Sequence, residues 1–583
     1  METQAINEMI SDLLRSKVIE ESVFEEGDFM NTVFLREKRD STPSNRKFRM
    51  ILNMKNLNKQ FVELIHHKMH SLQTCLDLME PNCYMASIDL KDAFHTIPMA
   101  PFFTKFLKFQ VGSKVYKYIA LPMGYRDSPR MFCKILKPVL AYLRKKGHLS
   151  SLYIDDFFLL GRWAITCEHN VKDTESLLKA LGFEISDKSV REPSQQLIHL
   201  GFVLNSVTMS VSLSEDKRDN ILVLINNILT AVRVSIRFLA KVIGTLIASL
   251  PGVEYGPLYY RELEFLKIRS LAINFNYDNE TILNSECLHE LNWWKSEGLY
   301  SSKVISHGNP DFIMQSDSSG FAWGALLTHS QARTQGLWGE EEKLCDINVL
   351  ELKAAFLGIT ALGTNLHDCH LQLQLDNQTA VTYINNMGGT HSIKCNEYAK
   401  QLILWGKCRN IWISACHIAG IDNCEADILS RKINENIEWM IIDSTFEYIC
   451  SILGKPEIDL FASRLNHRLP KYMSLCPDAE ALAINAFAHR WDSFIYIFAP
   501  FNLIPRILRK LSEDKTEKAL MIVPQWHVAT WFPKINQMRT RPPIIITSDN
   551  LTLAHKPNVR HPLFPKLKLM AFLLSGRNSN ETA

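Results

Sequence analysis

A chain of 583 residues, 46% of them hydrophobic and 22% charged, is too long for one hydrophobic core and too apolar to be largely disordered. The net charge of +3 argues against a protein that binds polyanions through bulk charge, although a local basic cluster at residues 144–146 suits phosphate contacts. Thirteen cysteines without a C-x-x-C pair argue against a disulfide framework and a zinc ribbon, and they favour a reducing, intracellular compartment, the cytoplasm or the nucleus.

The amino terminus reads METQAINEMISDLL, which is amphipathic and acidic. It lacks the basic start and apolar core of a secretion signal. We also expect no membrane span, because the most apolar run, residues 494–504, is short and contains Pro500 and Asn502. The length predicts three or four domains.

Residues 1–213 are predicted to be mixed α and β. Helical patterns cover residues 128–146 and 168–181. Strand-like runs cover residues 31–35, 48–52, 84–90, 116–121 and 151–160.

The last of these strand-like runs, SLYIDDFFLLG, contains the adjacent carboxylates Asp155 and Asp156 between apolar residues. Burying an unpaired carboxylate is costly, so two interpretations stay open at this point. In the first, the two acids turn a hairpin and face water. In the second, a divalent cation binds them. Taken alone, the run favours the turn.

Asp89 shows the same pattern, since it ends the apolar strand of YMASIDLKDAFHTIPM. Two-metal nucleotidyl transfer requires carboxylates from separate strands to converge on the ions. One ion activates the attacking hydroxyl, and the other stabilises the leaving pyrophosphate. Asp89 and Asp155 are far apart in sequence, so tertiary folding would have to bring them together.

An ordered series of motifs around these acids resembles reverse transcriptases. The series is FLREKRD, KFRMILNMKNLN, ASIDLKDAFHTIP, LPMGYRDSPRMF, YIDD, and LGFEISDKS followed by IHLGFVLN. The resemblance implies a right-hand polymerase with fingers and palm, in which Asp89, Asp155 and Asp156 are catalytic metal ligands. Of these, Asp155 is expected to be a principal ligand and Asp156 a supporting one.

The same resemblance implies four residues that bind the incoming nucleotide. Lys38 and Arg49 would contact its triphosphate, which suits their charge and donor geometry. Phe94 would occupy the volume of a ribose 2′-hydroxyl and thereby select deoxyribose. Gly124 would permit close backbone approach.

Residues 214–300 follow a mostly helical pattern and are predicted to form a thumb or connection. Two residue pairs in or before this segment are not taken as functional sites. His66 and His70 have the i, i+4 spacing of a zinc pair but no third ligand nearby, and Trp293 with Trp294 favours a helix core over base stacking.

A second series of acids lies in residues 308–435. Asp317 falls in a strand, Glu351 near a helix start and Asp376 at a strand end, and HIAGIDNCEADILSR supplies His417 and Asp427. Taken singly, Glu351 fits an exposed helix start, Asp376 a helix cap and His417 a structural loop histidine. Their order resembles ribonuclease H, which implies metal ligation by the four acids and proton transfer by His417.

The carboxyl-terminal block, residues 445–546, resembles a phage-type adenine methyltransferase module. That family holds the adenine amine with Asn or Asp before Pro-Pro-Tyr or Pro-Pro-Phe. Here the corresponding run is Phe498, Ala499, Pro500 and Phe501, so we expect a degenerate block that is non-catalytic or serves binding and packing. Residues 547–583 are polar and interrupted by prolines, and are predicted to be a tail.

The predicted fold class is therefore multidomain α+β and α/β: fingers, palm and helical thumb, then a ribonuclease H-like domain and the degenerate block. The predicted function is that of a retrotransposon RNA-directed DNA polymerase with ribonuclease H activity, DIRS-type first and gypsy-type second. The resemblance implies two Mg²⁺ ions per active site, with Mn²⁺ as a substitute. The implied partners are an RNA template, a DNA primer, RNA-DNA hybrid and dNTPs, and the oligomeric state stays open. The alternative is a decayed or domesticated copy that only binds nucleic acid.

Overall fold

The computed structural model describes residues 2–37, 48–63, 65–273, 275–434 and 438–577. The chain divides into two compact units, residues 1–256 with 275–306 and residues 257–274 with 307–583. Residues 257–274, which the sequence assigns to the thumb, thus group with the second unit. The predicted domain boundaries themselves stay predictions.

The N-terminal region, residues 2–213, belongs to the first unit and has mixed α and β structure. Its helices in the described part are α1 (Glu2–Arg15), α2 (Lys55–Gln60), α3 (Leu72–Leu78), α4 (Ser128–Lys145) and α5 (Ala164–Ala180). Its strands there are β1 (Ile19–Ser22), β2 (Met30–Glu37), β3 (Phe48–Asn53), β4 (Tyr84–Asp89), β5 (Lys108–Val111), β6 (Lys114–Tyr118), β7 (Leu149–Tyr153), β8 (Asp156–Gly161), β9 (Val190–Ser194), β10 (Gln196–His199), β11 (Phe202–Asn205) and β12 (Ser210–Leu213).

Strands β1 to β9 form two sheets. The first has the strand order β1-β6-β5-β2-β3, and the second has the order β7-β8-β4-β9. Helices α4 and α5 supply Phe132, Leu136 and Leu178 to the core of the second sheet, where these side chains are almost fully buried. The apolar residues of β4 and β8 pack into the same core, which explains why both strands read as nearly continuous apolar runs.

The helical region, residues 214–306, contains α6 (Glu215–Thr230), α7 (Ile236–Ile247), α8 (Arg261–Ile273) and α9 (Ser285–Ser296), with the short strands β13 (Val234–Ser235), β14 (Glu280–Thr281) and β15 (Ser302–Val304). Trp293 and Trp294 are 7% and 0% exposed, as expected for a helix core. No helix in the described part of the chain has the length and apolarity to cross a membrane.

The central region, residues 307–434, is a mixed sheet with helices packed on it. Its strands are β16 (Phe312–Ser318), β17 (Ala322–Leu327), β18 (Ala332–Leu337), β19 (Cys369–Leu375) and β20 (Ile411–His417), and its helices are α10 (Glu340–Lys343), α11 (Ile347–Leu362), α12 (Gln378–Asn385), α13 (Ile393–Lys407) and α14 (Cys424–Arg431). The sheet order is β18-β17-β16-β19-β20, in which β16, β19 and β20 run parallel and β17 runs antiparallel to both of its neighbours, β18 and β16.

The C-terminal region, residues 438–577, is a second α/β arrangement in the same unit. Its helices in the described part are α15 (Asp443–Leu453), α16 (Ile504–Glu513) and α17 (Phe532–Met538). Its strands there are β21 (Trp439–Ile441), β22 (Ile458–Asp459), β23 (Met473–Ser474), β24 (Ala483–Ile484), β25 (Ile495–Ile497), β26 (Ala519–Pro524), β27 (Ile544–Thr547), β28 (Leu551–Leu553) and β29 (Lys568–Leu574).

The prediction of a tail at residues 547–583 is wrong for the part that the structure describes. Strand β29 lies between β26 and β27 in the sheet β22-β25-β26-β29-β27 and pairs antiparallel with both. Leu569, Ala571 and Phe572 are fully buried there. This segment therefore belongs to the core of the C-terminal region, because its apolar side chains are buried between two neighbouring strands.

Candidate active sites

The first candidate site lies in the second sheet of the N-terminal region, at the end of β4. Asp89 is the last residue of β4 and lies directly opposite Asp156, the first residue of β8, in the antiparallel register. Tyr153 and Asp156 face each other at the mouth of the β7-β8 hairpin, so Ile154 and Asp155 form its tip. The predicted hairpin is present, and its tip brings Asp155 and Asp156 to Asp89.

The negative charges of these acids repel one another. Burial raises the pKa of Asp156 to about 7, and the carboxylates of Asp155 and Asp89 add to the increase. A group of this kind resists ionisation until a cation arrives, because the cation supplies the missing opposite charge. Carboxylate oxygens are the ligands that a hard divalent ion prefers, and Asp89 and Asp156 offer them from two paired strands.

Hydrogen bonds hold the backbone around these acids, and one residue of the hairpin tip is strained. The Leu90 amide donates to the Asp155 carbonyl oxygen at 3.2 Å, which ties the hairpin tip to the end of β4. The Asp89 amide donates to Ser189 Oγ at 3.0 Å. Ile154 has a φ of 58°, a conformation that β-branched residues rarely adopt, and such strain is held in place only by the surrounding structure.

The predicted nucleotide-binding residues are only partly described. Lys38 lies outside the described residues, and for Arg49 only the backbone, within β3, is described. Phe94 lies shortly after β4, is partly buried, and packs edge-on against Phe132 at 5.2 Å between ring centroids. Its ring is thus held by the core of the second sheet.

Gly124 lies in the loop before α4 and has a φ of +116°. A Cβ at this position would lie 2.1 Å from the carbonyl oxygen of Leu52 in β3. The side chain of Asn58 holds the same loop. Its Nδ2 donates to the Gly124 carbonyl at 2.8 Å, and its Oδ1 accepts from the backbone amide of Arg126 at 3.0 Å. Glycine is required here because the loop lies directly against a strand backbone.

The second candidate site lies in the central region. Oxygens of Asp317, Glu351 and Asp376 all lie within 4.8 Å of one another. Asp317 is near the end of β16 and Asp376 follows β19, and these neighbouring strands run parallel, so their carboxyl ends meet. Helix α11 packs on this sheet and adds Glu351 from its amino-terminal half.

Glu351 is 4% exposed, which excludes the interpretation of an exposed helix start. Its Oε2 is buried and has no hydrogen-bond partner among the described residues. Burial raises its pKa to about 9, and Asp317 and Asp376 add to the increase. An unpartnered buried carboxylate oxygen beside two further carboxylates fits a divalent cation, because the ion removes both the repulsion and the unmet demand for a ligand.

The remaining predicted residues of this site occupy its edge. His417, at the exposed end of β20, donates from Nε2 to the backbone carbonyl of Asp376 at 3.1 Å. Asp427, on α14, accepts from Arg431 and contributes to the raised pKa of Asp317. The cap of α12 is Asn377, whose Oδ1 accepts from the Ala380 amide at 2.8 Å, so Asp376 is not the helix cap.

Two residues near Asp317 were missed by the sequence analysis. Ser430 Oγ donates to Asp317 Oδ2, and Arg431 pairs with Asp427. Both lie in the quoted motif HIAGIDNCEADILSR, three and four positions after Asp427. Helical spacing places such residues beside Asp427, so the i+3 and i+4 positions were the available signal.

The run of residues 498–501 follows β25 and lines a cavity of about 480 Å³ in the second unit. Trp323 and Leu337 of the central region line the same cavity. Ala499 and Pro500 stand where an amine acceptor is expected, and neither has a side-chain acceptor.

Comparison with known proteins places these sites in context. Residues 37–204 match the family described as Reverse transcriptase (RNA-dependent DNA polymerase), so this part of the chain is similar to reverse transcriptase domains. The Gag-Pol polyprotein of Avian reticuloendotheliosis virus is 28% identical over 191 residues, which cover 31% of this chain and 16% of that protein. The putative enzymatic polyprotein of Cassava vein mosaic virus is 22% identical over 451 residues, covering 72% and 64%.

The Retrovirus-related Pol polyprotein from transposon gypsy of Drosophila melanogaster is 21% identical over 204 residues, covering 34% of this chain and 19% of that protein. The chain therefore spans between 16% and 64% of the length of these relatives. Among solved structures, a foamy viral protease-reverse transcriptase in complex with double-stranded DNA has a TM-score of 0.46 and 17% identity, covering 71% of this chain and 69% of that one.

Proposed function

We propose that this chain is the RNA-directed DNA polymerase of a retrotransposon and also cleaves the RNA strand of RNA-DNA hybrids. One observation carries the proposal. The β4-β8 register sets Asp89 opposite Asp156 with Asp155 at the hairpin tip, inside the segment that matches the reverse transcriptase family.

In the polymerase site, Asp89 and Asp155 would hold Mg²⁺ ions, with Asp156 in support. When bound, the ions supply charge stabilisation for the attacking 3′-hydroxyl and the leaving pyrophosphate. The residues of the chain orient the reactants: the hairpin tip fixes the two acids against β4, and the Phe94 ring restricts the volume beside the sugar. Lys38 and Arg49 would neutralise the triphosphate.

In the central region, Asp317, Glu351 and Asp376 would hold the ions for hydrolysis of the RNA strand, with Asp427 at the edge of the site. When bound, the ions supply an activated water and stabilise the departing 3′-oxygen. His417 is exposed at the mouth of this group, where it would move protons between the site and solvent. Ser430 orients Asp317 through its hydroxyl.

The proposal extends to the partners and the origin of the protein. An RNA template, a DNA primer, RNA-DNA hybrid and dNTPs are the molecules that these two chemistries require. The direct passage from the helical region to the central acids, with the motif HIAGIDNCEADILSR, supports a DIRS-type element first and a gypsy-type element second. We also propose that the C-terminal region is a degenerate methyltransferase-like block, and its lack of an amine acceptor supports a binding or packing role.

The test uses the purified chain with Mg²⁺ on a primed RNA template and on an RNA-DNA hybrid. Asp155→Asn is expected to abolish primer extension and to leave hybrid cleavage intact, whereas Asp376→Asn is expected to do the opposite. Each variant is therefore the control for the other. Extension that survives Asp155→Asn contradicts the assignment of the polymerase site. Hybrid binding without either activity in the wild type favours the decayed or domesticated copy.

A further inference from the structure

Strand β7 leads directly into the hairpin tip and is the edge strand of its sheet. The outward amide groups of an edge strand have no neighbouring strand to bind. Here the Leu152 amide donates to Nδ1 of His70 at 3.2 Å, and Ser151 Oγ lies 3.3 Å from the same nitrogen. The side chain of His70, two residues before α3, therefore accepts a hydrogen bond that a partner strand would otherwise accept from the free side of β7.

The geometry sets the protonation state of His70. An amide N–H only donates, so Nδ1 must carry a lone pair, and the imidazole is neutral with its proton on Nε2. The surroundings favour this state: burial lowers the pKa of His70, and the cations Arg144 and Lys137 on α4 lower it further. Arg144 is itself held beside β7, because it donates to the Ser150 carbonyl at 3.2 Å.

The other titratable group at this contact adds no charge. The Cys75 thiol of α3 hydrogen-bonds to Ser151, and burial raises its pKa to about 11, so it stays neutral near pH 7. A protonated His70 would lose its acceptor at Nδ1 and would place a third cation beside Arg144 and Lys137. The contact with Leu152 is therefore incompatible with the charged imidazole.

We propose that His70 is a positioning residue for the polymerase site: its Nδ1 holds the Leu152 amide and thereby fixes the strand that presents Asp155 and Asp156. The inference rests on the proposed polymerase function. Only Tyr153 and Ile154 separate Leu152 from Asp155, so the position of β7 at Leu152 constrains where the tip can lie. Acid pH releases this restraint, because it protonates Nδ1, the acceptor for the Leu152 amide.

The test compares His70→Asn with His70→Leu in the full chain. The asparagine Oδ1 accepts a hydrogen bond from nearly the position of Nδ1 and does not titrate, whereas leucine has similar bulk and no acceptor. His66→Leu is the matched control, since His66 lies on the same segment and is exposed. Primer extension at pH 8 is measured as kcat and as KM for dNTP.

We expect His70→Leu to lower kcat by about tenfold or more with KM changed less than about twofold, as for loss of an orienting partner. His70→Asn is expected to stay within about threefold of the wild type. The ratio of wild-type to His70→Asn activity should stay level above pH 6.5 and fall as the pH drops below this ordinary histidine pKa, because only the wild type loses its acceptor. Using this ratio cancels the titration of groups that both proteins share, including Asp156.

Hydrogen exchange of the Leu152 amide gives a readout that does not depend on activity. It should accelerate in His70→Leu at pH 8, remain slow in His70→Asn, and accelerate in the wild type relative to His70→Asn on acidification. Equal kcat for His70→Leu and wild type, or equal loss in both variants, overturns the inference. A wild type without extension overturns the proposed function instead, and the exchange data then decide the His70 contact alone. If His70→Leu does not fold, the wild-type and His70→Asn pH series decides it.

Discussion

The Phe94 ring packs edge-on against Phe132, so the core of the second sheet fixes its position. We predict that Phe94→Ala raises incorporation of ribonucleotides relative to deoxyribonucleotides by at least about tenfold, because the volume that rejects a 2′-hydroxyl is opened. Steady-state primer extension with each nucleotide measures the ratio. Phe94→Tyr keeps the ring and serves as the control. Unchanged discrimination in Phe94→Ala would remove Phe94 from the nucleotide site.

A second residue-scale prediction concerns Gly124 and uses Gly112 as its control. Both glycines have positive φ, but a Cβ at Gly112 meets nothing within 4 Å, whereas at Gly124 it meets the Leu52 carbonyl. Gly112→Ala therefore carries only the conformational strain, about 1 kcal/mol or somewhat more. Gly124→Ala carries the strain and the clash, so we expect a clearly larger loss in the free energy of unfolding by urea. Equal losses would mean that the loop moves away from β3 at no cost.

Individual acids differ in how far the sequence could place them. The pairing of Asp89 with the Asp155 hairpin followed from motif order, and the register places Asp89 opposite Asp156. The burial of Glu351 did not follow, because one acid in the nearly all-apolar helix α11 gives no sign of which face it occupies. Its environment depends on the parallel pairing of β16 with β19, which is a tertiary property.

At the scale of the element, local patterns predicted half of the strands of the N-terminal region, namely β2, β3, β4, β6 and the β7-β8 hairpin with its tip, and they did not predict β1, β5 or β9 to β12. Helix α4 was predicted at residues 128–146 and spans Ser128–Lys145. Strand β29 was missed, since its neighbours β26 and β27 precede it by many residues and the segments around it are rich in prolines. Local composition indicates where turns lie, but it does not indicate that a distant segment pairs between two earlier strands of a sheet.

The position of β29 between β26 and β27 can be tested by truncation. Truncation after Leu567 removes β29 and leaves β26 and β27 without their common neighbour. We expect the C-terminal region to lose cooperative unfolding and to become rapidly cleaved in limited proteolysis. Truncation after Arg577 keeps every described strand and is the control. Equal protease resistance of the two truncated proteins would contradict the placement of β29.

For the molecule as a whole, an ion pair inside the second unit joins its central and C-terminal regions. Arg464 donates from Nη1 and Nη2 to the two carboxylate oxygens of Glu342 at 2.8 and 2.9 Å, and Lys353 also pairs with Glu342. Together these partners lower the pKa of Glu342 to about 2 even though burial opposes the change. A pKa lowered in the folded state stabilises the fold above the ordinary value of 4.5, and this stability is lost as pH falls towards 2.

We therefore predict that Glu342→Gln destabilises the second unit at pH 7, on the order of 3 kcal/mol from the pKa difference. The gap between variant and wild type should shrink by roughly half as pH falls from 4.5 to 3, since over this range the unfolded wild-type chain takes up a proton at Glu342 while the folded protein keeps the carboxylate charged. Thermal unfolding at both pH values measures it. Glu341→Gln, on the exposed side of α10, is the control and should change little. A gap that has the same size at pH 4.5 and at pH 3 would assign the effect to packing rather than charge.

The meeting of Asp89 with Asp156 depends on counting, because side chains on a strand alternate between its two faces. Inserting or deleting one residue within β4 would send Asp89 to the opposite face while leaving every amino acid in the motif intact. A copy of the gene can thus keep all its recognisable acids and still encode an inactive protein after the insertion or deletion of a single codon. Surveys of related genes that score only the identity of the acids would count such copies as active, whereas the spacing from Tyr84 to Asp89 would separate them.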